Sequence, residues 1–549
     1  MRTETHRRDF SAHPTMATMP GEPIYITTPI YYVNDKPHIG HAYSTTVCDI
    51  YARFMRFAGC DVFFLTGTDE HGIKVEKSAK ALDITPQELA DENAKTFEDL
   101  MSQLGFTNDD FIRTTQPRHI KQVQELVKRL IEADAVYLGE FEGWYDEGQE
   151  EYYTETKAKD NNYNSPVNKV PLVRAKESNY YFRLSAFQQP LEQLFKDQPD
   201  FVRPQARRNE VLGRLREGLL DVPISRTNFS WGVPMPNDPE HVIYVWIDAL
   251  MNYVTALGLA DSDSDEFKTR SKYWPATYHV IGKEILWFHA VIWPAVLIAL
   301  KLPLPKCVYA HSFWIREGQK MSKTLGNFID LPTMQHYIDT YSLDMWRYYM
   351  ATQGPLGSTD ADFSAHHFHE IYSSDLVNTL GNNASRVTAM INKYFDGKIP
   401  SENAMQIADH DWPAICNEVV NASESAMKEL DLSGSISVAI GLVRKIDAFI
   451  NLTEPFKLAK DESKADELGA ILYQCVEALR IASLLLWPAM PTKIEELWRA
   501  LGISIEPNTG NLHELAAWGG LQPGGKVEKI ALFPRLEAPA ETQKTSSSA

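Results

Sequence analysis

Apolar positions change their spacing several times along the chain, and each change predicts a different element. Ile24–Thr28 is a short, β-branched apolar run ending at Pro29, which predicts a strand. After a loop holding Asn34, Asp35 and Pro37, a helical period runs from about His38 to Ala58 and stops at Gly59. Asp61–Thr66 (DVFFLT) is then continuously apolar, as in a strand covered on both faces. Strand, helix and strand in succession make a βαβ unit, the building block of a parallel, doubly wound sheet. The same alternation resumes late in the chain, with a strand at Tyr278–Ile281, a helix at Glu284–Leu300 and a strand at Val308–Trp314.

Between these halves the pattern breaks. From Pro117 to Ser225 a helix (Lys121–Ala133) is followed by the polar, β-rich stretch Phe141–Thr156 (FEGWYDEGQEEYYTET). The segment is too long for a crossover loop and reads as an inserted domain. Beyond Phe363 the period is helical almost throughout, near Phe368–Phe395, Trp412–Leu430, Ile436–Ile450 and Asp466–Trp487, punctuated by Gly and Pro. The fold class is therefore α/β: residues 22–116 and 226–317 are two halves of one split, Rossmann-like parallel-sheet domain, and 117–225 is inserted between them. Residues 318–362 form a loop and contact region, 363–530 a helical bundle, and 1–21 and 531–549 are tails, the first disordered.

Composition narrows this picture. The chain has 549 residues, 44% hydrophobic and 23% charged, which suits several folded domains and excludes disorder as the main state. Its five cysteines (Cys48, Cys60, Cys307, Cys416, Cys475) are scattered, so neither a disulfide framework nor a cysteine zinc site is expected, and a reducing, cytoplasmic setting is the expectation. The apolar stretch from Ile285 to Leu300 falls short of the ~18–20 residues a bilayer requires, so no membrane span is expected. The first 20 residues lack the apolar core of a secretory signal. A formal net charge of −19 argues against RNA as a partner only if the charge is evenly spread; Arg203, Arg207, Arg208, Arg214 and Arg216 crowd one stretch.

Two constellations carry chemistry. His38-Ile39-Gly40-His41 falls in the turn between the first strand and its helix, where parallel α/β sheets bind anions. Taken alone, the two histidines could simply cap that helix. Lys320-Met321-Ser322-Lys323-Thr324-Leu325-Gly326-Asn327 sets two lysines three apart on a glycine-bracketed polar loop. Such lysines can reach a polyphosphate, although a solvated basic turn looks the same.

This pair resembles the HIGH and KMSKS signatures of the class I aminoacyl-tRNA synthetases. Thr27–Ser44, Leu65–Gly72 (LTGTDEHG), Tyr244–Tyr253 (YVWIDALMNY) and His279–Pro294 (HVIGKEILWFHAVIWP) narrow the resemblance to the methionyl-tRNA synthetase family, over about Gly21 to Glu537. Thr324 stands where the signature ends in serine and keeps a hydroxyl. The resemblance implies methionine activation by ATP and transfer to tRNA(Met), initiator and elongator alike. It implies His38, His41, Lys320 and Lys323 as catalytic residues stabilising phosphate charge, with Mg²⁺ bridging phosphate oxygens. Gly40, Gly282, Lys283, Glu284 and Ser322 complete the implied ATP site, with Glu284 on the ribose. Ile30, Tyr32, Asp69, Trp246, Ala249, Leu250, Tyr253, Ile285 and His289 match methionine-binding positions, Asp69 holding the ammonium. Without the resemblance, Trp246 and Tyr253 would read as core. Asn382, Arg386 and Phe456 match anticodon-binding positions. Phe456 replaces the family's usual tryptophan and can still stack on a base, or pack between helices.

A second departure concerns metal. Many family members carry cysteine-ligated zinc knuckles in the inserted domain; here Trp144–Thr156 (WYDEGQEEYYTET) has no cysteine, so no structural zinc is expected. Its carboxylates could hold a hard cation or simply face water. The chain ends without the dimerising module that some members append, and a monomer is expected. Three other readings stay open: a synthetase for another aliphatic amino acid, a non-catalytic RNA-binding relative, and a small-molecule nucleotidylyltransferase. The first would need a larger insertion, the second conflicts with intact signatures, and the third would not need the helical bundle.

Overall fold

The computed structural model describes residues 21–33, 36–146, 151–321, 326–401, 407, 410–507 and 511–538. Seven strands form the central sheet: β1 (Pro23–Thr27), β2 (Tyr31–Tyr32), β3 (Asp61–Asp69), β4 (Asp110–Arg113), β5 (Val202–Arg203), β6 (Tyr278–Gly282) and β7 (Cys307–His311). They are ordered β2-β3-β1-β6-β7-β5, with β4 also pairing β3, and every pairing is parallel. Alternate residues face opposite sides, as strand geometry demands. Ile24, Ile26, Val62, Phe64, Val280 and Tyr309 enter one core, while Tyr25, Phe63, Leu65, Ile281, Val308 and Ala310 enter the other. Both faces are buried, which is why these strands read as unbroken apolar runs.

Three elements differ from the sequence expectation. The strand expected at Val308–Trp314 ends at His311; Ser312 turns away, its N–H bonded to Pro355 O, and Trp314–Arg316 starts a separate three-stranded sheet with Gln319–Lys320 and Ala361–Phe363. The helix expected over Glu284–Leu300 is a 3₁₀ turn (Lys283–Ile285), a π turn (Phe288–Ile292) and a short α-helix (Trp293–Ala299). Pro294 has no N–H to continue an α ladder, and the turn widens ahead of it. Finally, β5 lies within the span read as an insertion, yet it pairs with β7 as the sheet's edge. Two residues are too short to leave a periodic signal.

The rest of that span makes an antiparallel sheet around Val136–Asp146 and Val173–Phe182. At its tip, Trp144 Nε1 and Tyr163 OH both donate to Glu155, at 2.7 and 3.0 Å, with the two rings 4.6 Å apart over Tyr153, Ala158 and Leu172.

Seven helices bear on the site and on the bundle: α1 (Ile39–Phe57), α2 (Pro117–Glu132), α3 (Val245–Leu250), α4 (Leu343–Gln353), α5 (Asn382–Tyr394), α6 (Leu432–Thr453) and α7 (Ala465–Leu486). α7 is apolar enough to pass for a membrane span by length, but its whole apolar window is buried in the bundle, so it is a core helix. All five cysteines are likewise buried, as free thiols.

The bundle is bolted to the sheet domain through two charges with no access to water. Asp49 on α1 and Arg347 on α4 are 0% and 1% exposed, and Arg347 Nη2 donates to Asp49 Oδ2 at 2.6 Å. Arg347 also donates to Pro488 O at 3.0 Å and Ala489 O at 3.3 Å, just beyond α7. Asp49 accepts further from Arg53 Nε and from the N–H and hydroxyl of Thr107, each at 2.7 Å. Burial works to raise the Asp49 carboxyl, but the Arg347 and Arg53 guanidiniums outweigh it and hold it below the usual range. Arg347→Met should therefore strip the buried Asp49 carboxylate of its fully buried cation, leaving Arg53 and Thr107 to hold it, and destabilise the fold by up to about 3–5 kcal/mol. Asp49→Leu/Arg347→Leu, which removes both charges together, should cost less. Urea unfolding midpoints of the two variants check the order.

Candidate active site

All seven strands point the same way, so their carboxyl ends lie along one edge of the sheet, and the site is built there. β1 leads through Pro29, Ile30 and β2 to α1. β3 ends in Asp69, β6 in Gly282 and β7 in His311. A cavity of about 390 Å³ opens between these ends and α3.

At one end its walls are mostly apolar: Pro29, Ile30, Val245, Trp246, Ala249, Leu250 and Ile285. Trp246 stacks on Phe288 with ring centroids 4.0 Å apart. Tyr253 OH donates to His289 Nε2 at 2.7 Å, because His289 Nδ1 is engaged with Ile285 O at 3.1 Å and so carries the hydrogen. Asp69, the last residue of β3, also lines the cavity. The nine residues matched to methionine binding (Ile30, Tyr32, Asp69, Trp246, Ala249, Leu250, Tyr253, Ile285 and His289) all line this one cavity.

The other end is polar, lined by His38, Gly40, His41, Gly282 and Glu284. The two histidines do cap α1, and the cap determines their tautomers. His38 Nδ1 accepts from Gly40 N at 3.0 Å and His41 Nδ1 accepts from His38 N at 3.1 Å, so each ring carries its hydrogen on Nε2. Burial lowers His38 to about 4; His41 is held well below its ordinary value by burial and by His38 beside it. Near neutral pH both are uncharged Nε2–H donors. Burial raises the Glu284 carboxyl. A β-carbon at Gly282 would meet that carboxylate and push it aside.

Other expected residues stand elsewhere. Lys283 lies off the cavity wall, its ammonium 2.6 Å from Asp360 and over the Phe313 ring. Lys320 is exposed on the strand Gln319–Lys320, and its carbonyl accepts from Asn327 Nδ2 at 3.2 Å. Ser322 and Lys323 lie outside the described residues. The segment after them returns to the site: Ile39 N donates to Ile329 O at 3.0 Å, and Phe328 sits edge-on to His38 at 4.9 Å. Asn382, Arg386 and Phe456 are far along the bundle. Asn382 is exposed, Phe456 is 46% exposed, and Arg386 bonds Asp447 and Asn451 at 3.2 Å each.

Some wall residues escaped the sequence reading. His311 lines the cavity, its Nε2 accepting from Ser44 Oγ at 2.8 Å, and burial lowers it to about 4. Its place at the last residue of a parallel strand is the signal that would have found it. Phe313, Lys74 and Asn252 carry no such signal. The arginine-rich stretch is partly paired: Arg203 bonds Glu429 at 2.7 Å and Arg207 Glu210 at 2.9 Å, while Arg208 bonds only a carbonyl, Phe195 O at 2.8 Å, Arg214 lies over Trp287 at 3.9 Å, and Arg216 is exposed. Among the described residues, no group of three or more His, Cys, Asp or Glu side chains could hold a metal ion.

A family model described as tRNA synthetases class I (M) matches residues 24–388. The methionine–tRNA ligase of Halalkalibacterium halodurans is 42% identical over 536 residues, 95% of this chain and 80% of that relative. The Thermotoga maritima methionine–tRNA ligase is 43% identical over 517 residues, 94% of this chain and 80% of its own. Among solved structures, Mycobacterium tuberculosis methionyl-tRNA synthetase in complex with methionyl-adenylate superposes with a TM-score of 0.85 at 35% identity, covering 94% of this chain and all of that one.

Buried neutral histidines make stability depend on acid. His38, His289 and His311 sit at about 4 against 6.5 when unfolded, so between those values the unfolded chain binds more protons. Their contribution is full above pH 6.5 and is lost as pH falls toward 4. Urea midpoints should drop between pH 7.5 and pH 4.5, and His311→Asn should flatten the drop.

Proposed function

The chain belongs to the class I tRNA synthetases of the methionine group, and on that footing we propose how its residues divide the reaction. The enzyme activates L-methionine with ATP to give methionyl-adenylate and then transfers methionine to the 3′-terminal adenosine of tRNA(Met). The apolar end of the cavity takes the methionine side chain. Trp246, Tyr253 and His289 set aromatic rings beside a polarizable thioether, and Asp69 takes the ammonium. The observation that carries this reading is the convergence of all nine matched residues on one cavity that also holds both signature histidines.

ATP takes the polar end, with Gly282 admitting the nucleotide close to the backbone and Glu284 on its ribose. The methionine carboxylate attacks the α-phosphorus and pyrophosphate departs. His38 and His41 meet the developing phosphate charge as neutral Nε2–H donors, which a dry pocket makes effective. Lys320 and Lys323 supply full positive charges from the KMSK loop, and Lys283 adds to the ATP site. Mg²⁺, carried on the ATP phosphates, would supply further charge neutralisation there. No protein nucleophile is needed, since both substrates bring their own.

The bundle end bearing Asn382, Arg386 and the exposed Phe456 ring reads the anticodon, Phe456 by stacking. Initiator and elongator tRNA(Met) share that anticodon and are both substrates. The enzyme works as a cytoplasmic monomer without structural zinc; the lack of any cysteine in Trp144–Thr156 supports the last point.

Pyrophosphate exchange driven by methionine, and not by leucine or valine, tests the reading as a whole. Asp69→Asn should raise KM for methionine by about tenfold or more, as expected for a lost charged hydrogen bond. Lys323→Ala should lower exchange steeply while methionine binding, read by calorimetry, stays largely intact. Chelation followed by restoration of magnesium alone should return full activity; a lasting loss that zinc reverses would contradict the zinc-free reading.

A further inference from the structure

Behind the wall formed by α3, turned away from the cavity, a carboxylate and two imidazoles make a sealed row. Asp248 is 0% exposed; its Oδ2 lies 2.7 Å from Nδ1 of His71 and its Oδ1 lies 2.9 Å from Nε2 of His119. Nδ1 of His119 meets Thr255 Oγ1 at 2.7 Å. None of the four lines the cavity. Burial works to raise the Asp248 carboxyl, but His71 and His119 hold it at about 2, so it is a carboxylate.

The row joins separate pieces of chain that both line the cavity. His71 stands two residues beyond Asp69 at the end of β3. Asp248 sits on α3 between Trp246 and Ala249, which face the substrate. His119 belongs to α2, and Thr255 follows Asn252 and Tyr253 of the same wall. Both sides are braced. Gln122 of α2 donates to Thr255 O at 3.0 Å, while Gly72 N donates to Trp231 O at 3.0 Å and Trp231 Nε1 to Glu70 O at 2.6 Å.

Apolar contacts resist sliding weakly, whereas a buried carboxylate permits little departure from its donors. The spacing between Asp69 and α3 is therefore held by directed bonds. With Asp69 gripping the ammonium, as in the proposed function, α3 meets the far end of the side chain, so that spacing is the length of the amino acid. We propose that His71, Asp248 and His119 are positioning residues that set the side-chain length the cavity admits, acting on specificity without touching substrate. The device answers a need: an apolar pocket separates side chains differing by one methylene by only about 10–200-fold, and less if its walls can shift.

The test is pyrophosphate exchange with methionine and with ethionine, its homologue one methylene longer, in His119→Leu and His119→Gln. The glutamine amide nitrogen occupies the Nε2 position and keeps the donor to Asp248. His119→Leu should lower the methionine-to-ethionine ratio of kcat/KM by about tenfold, raise KM for methionine and leave KM for ATP within about twofold. His119→Gln should keep the ratio near that of the native enzyme. His71→Leu, with His71→Asn as its rescue, repeats the comparison from the other end of the row and carries it if His119→Leu does not fold. An unchanged ratio in the leucine variants, equal shifts for both substrates, or a glutamine variant as impaired as the leucine one would each overturn the proposal. Asp69→Asn, assayed alongside, separates the two levels. If it leaves KM for methionine untouched, the reading of the cavity fails; if it raises KM while His119→Leu spares the ratio, only the proposal fails.

Discussion

The parallel direction of all seven strands is the constraint on which the rest of the molecule depends. Parallel strands cannot be joined by tight turns, so each pair needs a crossover, and the crossovers cover both faces of the sheet with helices. The carboxyl ends then share one edge, where Asp69, Gly282 and His311 come together although they are far apart in the chain. The same geometry puts the N-terminus of α1 at that edge. Its unsatisfied N–H groups are capped by the two histidines that face the cavity, so one arrangement both ends the helix and sets the tautomers.

Burial does two different jobs around this edge. At the polar end it keeps His38, His41 and His311 uncharged, so these three rings offer hydrogen-bond donors and acceptors rather than positive charge. Lys320, by contrast, stands outside this dry part, exposed on its strand. Away from the cavity, burial makes charge pairs rigid. Asp49 with Arg347 holds the bundle against α1, and Asp248 with two histidines holds the pocket wall. A sealed carboxylate has few tolerable geometries, so such pairs act as hinge pins between elements that share no sequence neighbourhood.

Much of the candidate site is legible in the sequence, because its motifs are local. HIGH, TDEHG, YVWIDALMNY and GKEILWFH each occupy one turn, strand end or short helix, and a contiguous run preserves their pattern. Apart from the helix that Pro294 breaks up, the readings that changed concern partners distant in sequence. Arg203 was expected to belong to an open positive patch and instead pairs with Glu429, 226 residues away. Lys283, matched to the ATP site, bonds Asp360, 77 residues away. The strand expected to run to Trp314 breaks after His311, where Ser312 and Phe313 bond to Pro355 and Asp360.

By itself, the sequence determined β1, β3, β6 and α1, the two signatures and those cavity residues that lie within its motifs. Periodicity, turn residues and motif spacing act over a few positions, and neighbouring residues suffice to express them. Only the tertiary structure decided which histidines are neutral, which arginines are free, where β5 belongs, and that Asp248 meets His71 and His119 across 177 and 129 residues of chain. Those properties depend on desolvation and on hydrogen-bond partners within about 3 Å, and both are set by packing between remote segments.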